Sequence, residues 1–213
     1  MKCNLANRAL TQSEIDAVNK RTVRMNDRIF NYIGRLVVIS VRKNAGFGVD
    51  RMKRFNDNAY DLGRRYIDRY SETPDRTAEE YAVDSYYALR RDLRYYGWDP
   101  EVELWSDDVF DRMVSFDGIS RKKRDEYSKL IEYAKGLSFY VREMLCMNAM
   151  ELHDTNGFGA DKRLNVVFHP VRDRYLELMR YYITNNREAY MAELRAARDE
   201  FNALGIYKAE VNI

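Results

Sequence analysis

The stretch Asn44-Ala45-Gly46-Phe47-Gly48-Val49-Asp50-Arg51 decides the fold, because it recurs as Thr155-Asn156-Gly157-Phe158-Gly159-Ala160-Asp161-Lys162. Each copy sits between two runs whose apolar residues step by three and four, the spacing of one helix face. Upstream of the first copy, Ile29, Ile33, Leu36 and Val37 share a side; downstream, Met52, Phe55, Ala59, Leu62, Tyr66 and Tyr70 form a stripe. The glycine pair is therefore a corner between helices. Glycine tolerates the left-handed backbone that ends a helix, and the phenylalanine between the glycines is placed to plug the corner.

Working outward, a capping box at Thr11-Gln12-Ser13-Glu14 predicts a first helix running to about Lys43, and the second helix ends in a linker, Ser71 to Arg76. A second box, Thr77-Ala78-Glu79-Glu80, opens a third helix carrying Ala82, Tyr86, Leu89, Leu93 and Tyr96, closed by Gly97. Residues 98–118 are irregular and hold both tryptophans, Trp98 and Trp105, with a short helix expected near Asp107 to Met113. The plan then repeats. A long helix is expected over about Ser120 to His153. The next carries Leu164, Val167, Val171, Leu178 and Tyr182, with Pro170 expected to kink or restart it. The last carries Tyr190, Leu194, Ala197, Phe201 and Leu204, ending at Gly205, before a short tail.

Tyr81 answers Tyr190, and Gly97 answers Gly205. The expected fold is all-α: two diverged three-helix repeats, residues 1–97 and 119–213, joined by the tryptophan-containing connector 98–118. Matching stripes predict a pseudo-twofold pair; a stripe left uncovered would serve a homodimer.

Composition bounds the class. Only 3 prolines and 10 glycines interrupt 213 residues, which favours long helices. Cys3 and Cys146 stand alone, so no disulfide framework is expected, and a reducing compartment follows. The start of the chain lacks the apolar run of a signal peptide, and no stretch approaches the roughly 20 apolar residues of a membrane span. The expected location is the cytoplasm, away from membranes.

The net charge of +2 hides an asymmetry. Residues 1–97 hold 19 basic and 13 acidic side chains, residues 98–213 hold 17 and 21, and the stretch 20–69 holds 13 against 5. A basic half points to a polyanionic or acidic partner. Lys20, Arg21, Arg24 and Arg28 lie on the first helix; Arg51, Lys53, Arg54, Arg64 and Arg65 lie on the second. Phosphate contacts from such residues would be salt-dependent and blind to sequence, and Tyr86, Tyr87, Tyr95 and Tyr96 would stack on unpaired bases if they are not core residues. Arg121-Lys122-Lys123-Arg124 is a further basic cluster, at a helix start.

The Gly-Phe-Gly corner, with Arg51 or Lys162 three positions past its second glycine, resembles the helix-hairpin-helix motif over about ten residues in each half. That resemblance implies phosphate contacts from the free backbone N–H groups that open the next helix. It departs from the motif in its longer preceding helices and in Asp50 and Asp161, which repel an anion. A plain helix corner is the competing reading. The second copy, with Leu152, His153, Asp154, Gly157, Phe158, Gly159, Arg163 and Leu164, is similar to small helical proteins of phages and prophages of Gram-positive, clostridia-like bacteria. This implies a mobile-element origin and a helical fold, but no reaction.

Chemistry-bearing motifs are absent from the sequence: there is no phosphate-binding loop and no serine elbow. The two histidines, His153 and His169, together with Cys146 and Glu151, match no metal spacing, so neither metal nor cofactor is expected. Two functions remain open. One is a non-enzymatic phage-type accessory protein that binds nucleic acid or a nucleoprotein. Its contacts would come from Gly46, Gly48, Arg51, Lys53, Arg54 and Arg65, and from Gly157, Gly159, Lys162 and Arg163. The other is an inhibitor or adaptor that binds a host protein, such as a defence enzyme, using an exposed connector with Trp98 and Trp105 as anchors.

Overall fold

The structure is a computed structural model that describes residues 12–71, 78–159 and 162–206. It is all-helical. Seven α-helices are described: α1 (Gln12–Asn44), α2 (Val49–Ser71), α3 (Ala78–Tyr95), α4 (Pro100–Glu103), α5 (Arg121–Asp154), α6 (Lys162–Ile183) and α7 (Arg187–Ala203). Two 3₁₀ turns, Asp107–Val109 and Asp111–Met113, stand where a short helix was expected. The capping boxes at Thr11 and Thr77, most of the 71–76 linker, Asp161, the side chains of Lys162 and Tyr81, and the tail beyond Ile206 lie outside what is described.

The apolar stripes meet in one contiguous core. Ile29, Ile33, Leu36 and Val37 of α1, Met52, Phe55 and Leu62 of α2, and Val167, Val171 and Leu178 of α6 are all buried in it. Packing crosses between the two halves of the chain. The long helix α1 packs mainly on α6 and α7, whereas the long helix α5 packs on α2 and α3, and also on α6. By contrast, α1 and α2 touch only lightly although a sharp corner joins them.

Polar ties follow the same exchange. Tyr32 Oη on α1 donates to Glu193 Oε1 (2.7 Å) on α7, and Arg174 on α6 binds Glu193 and Glu200, each at 2.7 Å. Lys43 reaches Glu200 at 2.5 Å. Across the core, Ser85 Oγ on α3 donates to the buried Glu143 on α5 (2.6 Å), and Asn58 Nδ2 on α2 donates to the buried Glu151 (3.0 Å). Burial pushes the Glu143 carboxyl above the usual carboxylate range, with the Ser85 hydroxyl pulling the other way.

Pro170 neither kinks α6 into two pieces nor restarts it; α6 is one helix, Lys162–Ile183, with the proline inside. The reason is a partner on α1. A proline has no N–H, so the carbonyl four residues back, Val166, loses its helical donor. Asn44 Nδ2 supplies that bond at 3.0 Å and also donates to Ser40 Oγ at 3.0 Å. Ser40 Oγ in turn donates to the next carbonyl, Val167, at 2.6 Å.

The connector is not an exposed anchor, and this corrects the reading of Trp98 and Trp105 as partner contacts. Trp98 is 0% and Trp105 4% exposed. Trp98 Nε1 donates to Asn165 Oδ1 on α6 (2.7 Å), and Trp105 Nε1 donates to Ser138 Oγ on α5 (2.6 Å). Their rings lie against Phe168 and Tyr175. An indole offers the chain its largest apolar face, and once its N–H finds an acceptor, burial outweighs display. Arg172 Nη1 donates to the Glu103 carbonyl (3.0 Å), and His169 pairs with the Glu103 carboxylate (3.1 Å), which straps α4 to α6.

Candidate nucleic-acid interface

The two Gly-Phe-Gly corners are built locally and then brought together. At the second, Gly157 takes φ +66°. The Gly157 N–H donates to the His153 carbonyl (3.2 Å) and the Phe158 N–H to the Leu152 carbonyl (3.0 Å). This pair of bonds closes the helix end with a loop one residue wider than a Schellman motif, and it needs a residue free to adopt positive φ. At the first, Gly46 takes φ +69° and the Ala45 N–H donates to Val41. There Arg42 Nη1 binds the Phe47 carbonyl at 2.5 Å, so a side chain completes the closure.

Phe47 is fully buried and fills the corner as expected. Its ring meets Phe55 edge-on (6.1 Å, 85°) and, on another side, Phe158 of the second corner (6.1 Å, 78°). Arg51 joins the two corners as well. Its guanidinium lies 3.9 Å from the Phe47 ring centroid, and its Nε donates to Asn156 Oδ1 at 3.1 Å. Stacking and one hydrogen bond fix the plane of the guanidinium while the side chain stays exposed, which is the arrangement arginine uses for phosphate.

The two corners therefore lie side by side, with Gly46, Gly48, Arg51, Arg54, Gly157, Gly159 and Arg163 exposed around them. Arg163 Nη1 reaches the Gly157 carbonyl at 3.5 Å. Among the described residues, no carboxylate forms an ion pair with Arg51, Arg54 or Arg163, although the exposed Asp50 sits in the first turn of α2. The opening amides and positive end of α2, with the fixed guanidinium of Arg51, together favour an anion.

Other residues of the expected set lie elsewhere. Lys53 is half-buried and already has a partner. Arg65 is about 21 Å further along α2 at 1.5 Å per residue. There it lines a cleft of about 470 Å³ with Arg64, Asn58, Asp61, Asp68, Glu151 and Thr155, where carboxylates offset the guanidiniums. Trp98 and Trp105 are in the core.

The residues weighed for metal binding are held apart by separate partners. His153 stacks on Tyr96 (4.1 Å, 23°) and pairs with Asp154 at 2.9 Å, whereas His169 pairs with Glu103. Cys146 is buried, and that burial pushes its thiol far above the usual range. Among the described residues, no three His, Cys, Asp or Glu side chains cluster around a common point, and no helix is long and apolar enough to cross a membrane. Of the tyrosines, Tyr86 is buried against Phe139, whereas Tyr87, Tyr95 and Tyr96 are exposed. No family model, curated protein or solved structure matches this chain.

Proposed function

We propose that this is a phage-type accessory protein that binds nucleic acid, or a nucleoprotein, in the cytoplasm of a host cell, and that it acts by binding without catalysing a reaction. One observation carries the reading. Two glycine corners, 111 positions apart in the chain, meet so that Arg51 of one is hydrogen-bonded to Asn156 of the other. The two corners and three exposed arginines then address the same space. Backbone N–H groups at Val49 and Asp50 meet a phosphate, and Arg51, Arg54 and Arg163 add charge around it. Duplication of a three-helix unit accounts for this convergence, and the exchange of packing partners between halves supports it.

Labelled duplex and single strands, titrated at two salt concentrations, test the reading. Affinity falls steeply with salt, and an Arg51→Ala, Arg54→Ala variant binds more weakly with a log–log slope lowered by about 2. Absence of binding at low salt removes the proposal.

A second reading, a protein that covers the surface of a host (for example defence) enzyme, is favoured by one other feature. Tyr87, Arg91 and Tyr95 recur every fourth residue along α3, with Tyr87 56% and Tyr95 87% exposed. Exposed tyrosine beside arginine is the composition of interface hot spots. Pull-down from host lysate with and without Tyr95→Ala separates this reading from the first.

A further inference from the structure

The first long helix carries a charge pattern that the glycine corners do not use. Between Lys20 and Asn44 there are seven basic residues and a single acid, Asp27. At 100° per residue, Lys20, Arg24, Arg28, Asn31 and Arg35 fall within a sector of about 80° over a rise of about 22 Å. Lys20, Arg24, Arg28 and Asn31 are exposed and Arg35 is half-buried. The opposite side of α1 is the one packed on α6 and α7. No described carboxylate forms an ion pair with any of the four cations. The ridge is therefore a line of cations that no described carboxylate pairs with.

A second basic group lies towards the same end of the bundle, on the helix behind α1. Tyr133 Oη on α5 donates to Asn26 Oδ1 on α1 at 2.5 Å, and the far ends of the same two helices meet again where Phe47 touches Phe158. The two helices thus run in the same direction. Arg121, Lys122, Lys123 and Arg124, all exposed, precede Tyr133 as Lys20 precedes Asn26, so both basic groups lie at the end of the bundle away from the glycine corners. No large aromatic is exposed on the ridge; among the described residues the exposed tyrosines are on α2, on α3 and just past its end, and on α5. The surface offers charge without stacking platforms, which suits a phosphate backbone whose bases are already paired.

We infer that the α1 ridge is a rail for the phosphate backbone of duplex nucleic acid. The inference rests on the nucleic-acid reading above and gives it a footprint. Lys20 stands about 36 Å from the Asn44 corner at 1.5 Å per residue, and one turn of duplex is about 34–36 Å. The far end of the rail and the glycine corners are therefore spaced by about one turn of a duplex, with the rest of the rail between them.

Fluorescence anisotropy of the intact chain tests this, using duplexes of about 8 and about 24 base pairs and a single strand of about 24 nucleotides, at about 50 and about 200 mM salt. The variants are Arg24→Glu with Arg28→Glu, Arg51→Ala with Arg54→Ala, and Arg198→Glu on α7 as a charge control; circular dichroism and melting confirm that each is folded. The expected result is that the long duplex binds at least tenfold more tightly than the short one. The Arg24, Arg28 variant loses that advantage and about 2 units of salt slope, while Arg198→Glu loses neither. If the Arg24, Arg28 variant matches the parent while the Arg51, Arg54 variant weakens, the rail is wrong and the corner reading stands. If only the Arg24, Arg28 variant weakens, the rail stands without the corners. Preference for the single strand overturns the duplex assignment, and no binding by the parent overturns both readings.

Discussion

A double-mutant cycle between Asn44 and Pro170 tests how α6 survives its internal proline. In the native chain the Val166 carbonyl has no helical donor and takes the Asn44 Nδ2–H instead. Asn44→Ala removes that bond and the one to Ser40 Oγ. At about 0.5–1.5 kcal/mol per hydrogen bond, and with Val166 50% exposed so that water partly replaces the lost donor, the cost is about 1–2 kcal/mol. Pro170→Ala supplies an N–H of its own to Val166 and relieves the ring clash, so it stabilises by up to about 3 kcal/mol. In that background the Val166 carbonyl no longer depends on Asn44, and Asn44→Ala costs only the Ser40 bond. The coupling is therefore about 0.5–1 kcal/mol, which is measurable by urea denaturation followed by circular dichroism. In melting curves the native-background cost appears as a drop of about 2–4 °C per kcal/mol for a chain of this size. Equal costs of Asn44→Ala in both backgrounds would refute the argument and leave the proline's tolerance without its stated cause.

Two further outcomes follow from the core. Trp105→Phe keeps the ring but leaves the buried Ser138 hydroxyl without its indole donor, costing about 1 kcal/mol, whereas Trp105→Ala costs about 3–5 kcal/mol. Iodide leaves the native tryptophan emission largely unquenched, and strong quenching would restore the connector as an exposed anchor. Glu143 is buried with a raised carboxyl, so the folded state holds its proton to higher pH than the unfolded chain does. Its contribution is fully present below the unfolded pKa and is lost as pH rises through the folded pKa. Glu143→Gln, which still accepts from Ser85, therefore stabilises at neutral pH and gains nothing in acid. Urea midpoints at the two pH values measure this, and a gain that is unchanged between them contradicts it.

Local periodicity made the helices legible. Met52, Phe55 and Leu62 announced the buried side of α2 because three- and four-residue steps map directly onto one face. The glycine corners were legible too, since Gly46 and Gly157 occupy positions where only positive φ closes the helix end. What failed was long-range. Trp98 and Trp105 lie in an irregular segment without periodicity, and their acceptors, Asn165 and Ser138, are 67 and 33 residues away. Pro170 was read from local rules, while its rescue comes from Asn44 on another helix. Arg65 shares a helix with Arg51 but faces a different cleft, which charge counting along a sequence does not resolve. The α1 ridge is legible in the sequence, because a helical projection of Lys20 to Arg35 displays it.

Because α1 packs on α6 and α7, its apolar side lacks that cover while only α1 to α3 have left the ribosome. About 160 residues separate Asn44 from Ala203, so at roughly 5–20 residues per second the wait lasts roughly 8–32 s. The second half meets no such delay, since α2 and α3 already exist when α5 emerges. Helix α1 is thus made well before the helices that shelter it, and during synthesis Ile33, Leu36 and Val37 are open to a chaperone or to a neighbouring nascent copy.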